Sequence, residues 1–298
     1  MKALNRLTRP FFAAALTSIV LTPGCASQET VEEREPAQTP GAVETRDTAQ
    51  AQDDIEVRTY MWAVHDYDRP LPPRVDAGPG PSEPAPIPSD AIVLFDGTDP
   101  DADLSAWHSA KLPWPVKDGY FECPAENGNW LATNEKFGDI QLHAEWFVPE
   151  AESGDQGQKR GNSGIYIMGR YEVQVLESVG SDTYADGMAA AVYGQNPPLV
   201  NPGRGIGQWQ TYDVIFRAPR FTNDGELERP AEMTVFHNGV LVQDRWVLEG
   251  PTKHKKRTSY SAHPPELPIG LQGKGNPVRY RNFWVRPLGE RPVSPAEQ

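Results

Sequence analysis

The sequence predicts an all-β sandwich, and three observations support this fold class. Nine short segments rich in Val, Ile, Tyr, Phe and Trp lie between turn residues, and almost no stretch shows helical periodicity. The segment "FHNGVLV" also has a hairpin signature, because Asn238 and Gly239 separate two alternating runs, as in a two-residue turn with positive φ angles. No internal repeat is visible, which argues against a propeller or a solenoid.

Composition indicates one folded domain with long appendages. The chain has 298 residues, 30 prolines and a formal net charge of −13. Residues 26–54 contain eight acidic residues and two arginines, a local charge of −6, so nearly half of the acidity belongs to this stretch. Because no basic stripe with interleaved aromatic residues is present, we expect no nucleic-acid partner.

The N-terminus predicts export and a lipid anchor. Three basic residues within the first nine positions precede an apolar run, residues 11–21, that is too short to span a bilayer. The run ends in "LTPGC", where a small residue before Cys25 fits a bacterial lipoprotein cleavage site. We therefore predict a signal peptide over residues 1–24, lipidation of Cys25 and an extracytoplasmic, membrane-anchored protein. Simple cleavage nearby and a retained anchor are the alternatives.

Residues 25–88 are predicted to be a disordered tether. Their first half is acidic and poor in aromatic residues, and eight prolines lie between Pro70 and Pro88. Between these two parts, "IEVRTYMWAVHDYDRP" has strand-like alternation and large aromatic residues, so this piece is a candidate to pack on the folded domain. That domain is predicted over residues 89–288, with a tail at 289–298.

Two strands show polar side chains at alternate positions. In "QLHAEWFV" they are Gln141, His143 and Glu145, and in "YEVQVLES" they are Glu172 and Gln174. This division would let both strands present carboxylates, an imidazole and amides to one concave surface. The alternative is an ordinary solvated sheet face, which antiparallel sheets commonly have.

A series of motifs resembles a known family. In order, they are "VLFDG", "KDGYFEC", "FGDIQLHAEWFVP", "RGNSGIYIMGRYEVQVLES", "YADGMAAAVYGQNPPLVN", "QWQTYDVIFRAPRF", "TVFHNGVLVQD" and "LQGKGNPVRYRNFWVRPL". Over residues 90–288 this series is similar to the 3-keto-disaccharide hydrolase domain family. The resemblance implies a concanavalin A-like jelly-roll fold and a secreted or lipoprotein enzyme that cleaves glycosides oxidised to a ketone at sugar carbon 3.

The chemistry implied by this resemblance differs from ordinary glycoside hydrolysis. A ketone at C3 makes the C2 proton acidic, so a base can remove it, the C1 substituent leaves by β-elimination, and water then adds. This route needs a base, an enolate stabiliser such as a divalent metal ion, and an acid. A separate nicotinamide-dependent sugar oxidoreductase would supply the substrate. The alternatives are a non-catalytic carbohydrate-binding lipoprotein and a glycosidase that uses two carboxylates.

The resemblance implies that His143, Glu145 and Glu172 form the catalytic centre and are the ligands of the divalent ion. His143 is the candidate base among them, since imidazole titrates near neutral pH. Six further residues are predicted to bind the sugar: Asn162, Gln174, Tyr193, Gln272, Lys274 and Asn276.

Three other positions carry specific expectations. The family usually has an Asp-His pair where this chain has Gly273 and Lys274, so the role of that histidine is predicted to be lost or to pass to Lys274. Arg279 is expected to be structural. His254, in "KHKKR", is expected to belong to an exposed basic patch.

Overall fold

The computed structural model describes residues 61–150 and 154–289. The predicted signal peptide, Cys25, the first part of the tether and nearly all of the predicted tail lie outside these described residues. Within the described part, no helix is long and apolar enough to cross a membrane.

The larger of two main sheets has eight antiparallel strands. They are β1 Ile92–Phe95, β3 Val116–Lys117, β4 Tyr120–Glu122, β6 Ile140–Phe147, β9 Trp209–Arg217, β12 Glu232–His237, β13 Val240–Val247 and β15 Arg279–Pro287. Their order is β13-β12-β9-β6-β15-β4-β3, and β1 also pairs with β15.

The smaller main sheet has five strands and carries the candidate site. These are β2 Trp107–Ser109, β5 Asn127–Phe137, β7 Ser163–Ile167, β8 Tyr171–Val175 and β14 Leu267–Lys274, in the order β2-β5-β14-β7-β8. A separate two-stranded ribbon pairs β10 Arg220–Phe221 with β11 Leu227–Arg229. Short 3-10 turns occur at Gly157–Lys159 and Ala185–Gly187.

One apolar core includes side chains of both main sheets. Trp146 and Phe216 come from the eight-stranded sheet, and Ile165 and Tyr171 come from the five-stranded sheet; all four are almost fully buried. The thiol of Cys123 is also buried there and packs as a small apolar residue. The all-β sandwich predicted from the sequence is therefore confirmed.

The predicted hairpin is present between β12 and β13. His237 pairs with Val240, and the two residues between them have φ angles of 54° at Asn238 and 77° at Gly239. Two positive φ values are what a type I′ turn requires, and Asn and Gly adopt them at low cost.

Residues 61–88, here called the strap, are ordered against the sandwich. Asn201 pairs with the strap through its backbone, accepting from the Val75 N–H at 3.1 Å and donating to the Pro73 carbonyl at 2.9 Å. The Ala85 N–H donates to Glu145 Oε1 at 2.8 Å. The predicted disordered tether is thus wrong for the strap, because buried polar groups of the sandwich hold its backbone.

Candidate active site

A cleft of about 920 Å³ lies on the face of the five-stranded sheet that points away from the core. Strand β8 shows why, since Tyr171 and Val173 are buried in the core and the alternate residues Glu172 and Gln174 project into the cleft. The cleft also receives all six predicted sugar-binding residues: Asn162, Gln174, Tyr193, Gln272, Lys274 and Asn276.

Glu172 is the buried carboxyl group of this cleft. Its side chain bonds the hydroxyl of Tyr166, which faces it across the β7–β8 pair, and Gln272 Nε2 donates to the same hydroxyl at 3.0 Å. Burial raises the pKa of Glu172 to about 8, although the Tyr166 hydrogen bond and the positive charge of Lys274 oppose the increase. Such a group exchanges its proton close to neutral pH, as a general acid or base must.

Two glycines make room for the large side chains of the cleft. A Cβ on Gly164 would clash with Oε1 of Glu172 and lie 3.0 Å from its Cδ. A Cβ on Gly270 would clash with the indole ring of Trp130, which packs edge-on against Tyr166 at 5.0 Å. The glycines in the two strands therefore let Glu172 and Trp130 lie flat on the sheet.

Amide groups form a connected network at one end of the cleft. Gln174 Nε2 donates to Asn162 Oδ1 at 3.2 Å, and the Asn162 N–H donates to Asn276 Oδ1 at 3.0 Å. Asn276 Nδ2 in turn donates to the Lys159 carbonyl at 2.9 Å. This network fixes the orientation of polar groups that can bond sugar hydroxyls.

Aromatic and imidazole rings line the part of the cleft next to Tyr193. The hydroxyl of Tyr193 is 3.0 Å from both His254 Nδ1 and the Tyr184 hydroxyl. The ring of His65, from the strap, lies 4.1 Å from the ring of Tyr184. His65, Tyr184 and Tyr166 were not predicted from the sequence. His254 is exposed, as expected for the basic patch, and its ring also lines the cleft.

Only Tyr166 had a usable signal in the sequence. It is a polar-tipped residue at an alternate position in "SGIYIMG", and the short connection "MGR" to the next strand places it opposite Glu172. His254 comes from a segment without a periodic strand pattern, and the alternation around His65 predicted only that this piece packs on the domain, so only the tertiary fold brings the two rings to the cleft.

His143 and Glu145 lie in the eight-stranded sheet and do not line the cleft. Glu145 is fully buried, and it accepts hydrogen bonds from Arg281 Nε at 2.7 Å and from Asn282 Nδ2 at 2.9 Å, in addition to the strap N–H of Ala85. Burial opposes its charge, but these donors and the His143 imidazole outweigh burial and lower the pKa of Glu145 to about 2.

His143 is held in the same buried network. Its Nδ1 lies 2.7 Å from Asp213 Oδ1, its Nε2 lies 3.7 Å from Glu145 Oε1, and its ring stacks on Trp284 at 5.1 Å. Burial favours the neutral ring, yet the carboxylates of Asp213 and Glu145 outweigh it and raise the pKa of His143 to about 9. Glu145, paired with His143, anchors the strap to the sheet through the N–H of Ala85.

The prediction that His143, Glu145 and Glu172 form one centre is therefore wrong. Strands β6 and β8 both turn their apolar side chains toward the shared core, so their polar faces point to opposite outer sides of the sandwich. The alternation of each strand was interpreted correctly, but the two strands belong to different sheets.

The predicted divalent ion has no ligand set in the described part of the chain. Its three predicted ligands do not come together, and residues 61–150 and 154–289 contain no group of three or more His, Cys, Asp or Glu side chains able to hold a metal. The donor set therefore does not fit a resident metal ion, and no chemical step is assigned to one.

Strand β14 directs Gly273 and Lys274 to different surroundings. A Cβ on Gly273 would lie 2.8 Å from the Cβ of Asn129 and 3.1 Å from Cys123 Sγ, whereas Lys274 lines the cleft. Of the two positions where the family usually has Asp and His, the one occupied by Lys274 therefore faces the cleft. Arg279 is ion-paired with Glu122 at 2.7 Å, in accord with its expected structural role.

Comparison with known proteins agrees with the fold. A crystal structure from Parabacteroides distasonis, called a "putative glycosyl hydrolase", is 38% identical, with a TM-score of 0.63, covering 78% of this chain and 95% of that chain. Two further structures with the same description and organism are 16% and 17% identical, each with a TM-score of 0.48. They cover 67% and 66% of this chain, and 94% and 99% of their own.

A search among curated proteins gave no match. The family model described as the 3-keto-alpha-glucoside-1,2-lyase-like domain matches residues 90–286, which is more than half of the chain. Together with the Parabacteroides distasonis structure that is 38% identical, this match identifies a carbohydrate-active protein of glycosyl hydrolase type, and the chain belongs to the 3-keto-alpha-glucoside-1,2-lyase-like family.

Proposed function

We propose that this protein cleaves 3-keto-glycosides by elimination and that Glu172 is the base that removes the C2 proton. The observation that carries the proposal is a buried carboxyl group with a pKa of about 8, in a cleft that also holds the cation of Lys274. A glycosidase acting on ordinary acetals needs two carboxylates on either side of the bond, whereas elimination from a ketone needs one base.

In the proposed first step, a Glu172 oxygen bonds to the C2 proton and the C2–H electron pair becomes the C2–C3 double bond of an enolate. The negative charge moves to the oxygen on C3. A positive charge and a hydroxyl donor are the groups that stabilise such an oxygen, and Lys274 and Tyr166 supply them beside Glu172.

In the second step, the enolate restores the C3 carbonyl, a C1–C2 double bond forms, and the C1–O bond breaks. The departing oxygen takes a proton, and we assign its delivery to the hydrogen-bonded pair of Tyr193 and His254, whose hydroxyl and Nδ1 are 3.0 Å apart. Addition of water across the C1–C2 double bond then completes the net hydrolysis.

The proposal places the protein after a reaction that oxidises a sugar hydroxyl to a ketone, so a nicotinamide-dependent sugar 3-oxidoreductase is its proposed functional partner. We also propose an extracytoplasmic location with a lipid on Cys25. Labelling of cells with a palmitate analogue, which should mark the wild type but not Cys25→Ser, checks the anchor.

The test compares a chromogenic aryl glucoside with its 3-keto derivative, using the mature chain. We expect release from the keto substrate alone, and we expect the rate to rise with pH and level off above about 8, because only the carboxylate form of Glu172 accepts a proton. Glu172→Gln should lower kcat by about 10²–10⁴-fold. Glu135→Gln, which changes an exposed glutamate in the same sheet, should leave kcat unchanged.

Three other outcomes would contradict the proposal. Release from the unoxidised glucoside would favour a glycosidase with two carboxylates. Saturable glycan binding without turnover of either substrate would favour a carbohydrate-binding protein. Full activity of Glu172→Gln would remove Glu172 as the base, and a chelator arm shows separately whether turnover depends on a metal ion.

A further inference from the structure

The strap contributes residues to the cleft although it lies outside the family-matched region. Val64, His65 and Tyr67 all line the cleft, whereas the family match begins at residue 90. The wall next to Tyr193 is thus made from two parts of the chain that are far apart in sequence.

Asp186 fixes the strap at this wall. Its two carboxylate oxygens accept from the His65 backbone N–H at 3.1 Å and contact His65 Nδ1 at 3.3 Å. Asp186 is 1% exposed and lies in the 3-10 turn Ala185–Gly187. His65 has a φ of 62°, a left-handed conformation that a non-glycine residue keeps only where its surroundings enforce it.

Two more anchors, described above, hold the strap at Asn201 and at Glu145. A segment fixed at three points loses little conformational freedom when a ligand binds, so its side chains are preorganised for binding.

Tyr67 is a largely exposed aromatic residue of the strap that lines the cleft. Its side chain is 66% exposed at the cleft, and its ring meets the edge of Tyr184 at 5.6 Å. On the far side of Tyr184, the hydroxyl of Tyr193 contacts that of Tyr184, and the ring of Tyr193 lies parallel to His254 with 15° between the planes. An aromatic surface of this kind packs against the C–H face of a pyranose ring.

We propose that Tyr67 and Tyr193, supported by the buried rings of Tyr184 and His65, form a second subsite that binds the leaving half of a disaccharide. This inference rests on the proposed function, in which Glu172 acts on the oxidised ring. The second ring would lie against the strap wall, and the amide network would face the hydroxyls of the oxidised ring.

The test uses Tyr67→Ala, with Leu71→Ala as the matched control. Both residues are exposed strap positions, at 66% and 48%, and Leu71 does not line the cleft. For a 3-keto-disaccharide we expect Tyr67→Ala to raise KM about 5–10-fold, a loss of roughly 1–1.4 kcal/mol. With a 3-keto methyl glucoside, which lacks the second ring, KM should not change. Leu71→Ala should behave as the wild type with both substrates.

An equal change for both substrates, or no change for either, would overturn the subsite. Failure of the proposed function is recognised separately, because binding needs no turnover. The wild type and Tyr67→Ala are each titrated with cellobiose, maltose and trehalose and, for comparison, with methyl glucosides. These titrations measure how much more tightly a sugar with two rings binds than a sugar with one ring. If the wild type binds none of these disaccharides more tightly than a methyl glucoside, or if Tyr67→Ala keeps the preference, the subsite is excluded whatever reaction the cleft performs.

Discussion

Strands β6 and β8 carry the same pattern of alternating polar residues but use it in opposite ways. On β6, Glu145 is buried beneath the strap with Arg281 and Asn282 as partners, and its pKa falls to about 2. On β8, Glu172 is equally buried, yet no cation of the described residues lies within ion-pair distance of its carboxyl group. Its pKa rises to about 8. Burial alone therefore does not decide the state of a carboxyl group; its partners do.

This difference separates an anchor from a reactive group. A carboxylate with three hydrogen-bond donors, one of them an arginine, keeps its charge at any ordinary pH and holds the structure together. A carboxyl group that keeps its proton until about pH 8 is poised to exchange it. The outer side of β6, where strap residue Ala85 covers Glu145, is thus structural, whereas on the outer side of β8 the strap forms only part of one wall and leaves a cleft.

The largest expected effect comes from Glu145→Gln, which tests the anchoring carboxylate of β6. The substitution leaves the guanidinium of Arg281 buried without its counter-charge and weakens the hold on Ala85, so the free energy of unfolding should fall by about 3–5 kcal/mol. Urea denaturation at pH 7 measures the loss.

Asp90→Asn is the control, because it removes an ion pair with Arg286 on the same strand as Arg281, but at the surface. We expect little change for this variant. If Glu145→Gln were as stable as Asp90→Asn, the proposed anchoring role of Glu145 would be wrong.

A smaller effect is expected from Gly164→Ala, which tests how closely Glu172 is positioned. The new Cβ would clash with the carboxylate of Glu172, so the side chain must move. We expect kcat on the 3-keto substrate to fall about 10–100-fold, since displacements near 1 Å are costly in catalysis, with a stability loss of about 1–3 kcal/mol. Gly154→Ala, where nothing lies within 4 Å of the new Cβ, should match the wild type in both assays. Unchanged kcat in Gly164→Ala would contradict the assigned geometry.

The remaining effect concerns the pH dependence of stability. Between about pH 4.5 and 8 the unfolded chain ionises at Glu172 while the native protein keeps the proton, so this group lowers stability as pH rises, by up to about 1.4 kcal/mol per pH unit. Glu172→Gln has no ionisable group at this position, so this pH-dependent contribution to stability is absent from the variant. The variant should therefore gain stability relative to the wild type from pH 5 to pH 8, as measured by urea denaturation at several pH values. A constant difference would mean that the pKa of Glu172 is not raised.

Much of the fold could be predicted because its strands have strong local signals. The alternation in β6 and β8, the turn at Asn238 and Gly239, and the ordered family motifs all depend on residues close together in sequence. Strand β5 was missed, since "NGNWLATNEKF" is mostly polar and is held by its pairing with β14 and β2. Its Trp130 packs over Gly270, a contact that no local pattern indicates.

The sequence by itself determined the sandwich class and the inward and outward side chains of the predicted strands, Glu172 and Gln174 among them, because a period of two fixes the side of a strand on which a residue lies. Only the tertiary structure decided which strands share a sheet. It placed His143 and Glu145 on one outer side and Glu172 on the other, and it brought His65 and His254 to the cleft. The physical reason is that both sheets bury their apolar faces in one core, so equal patterns on opposite sheets must face away from each other.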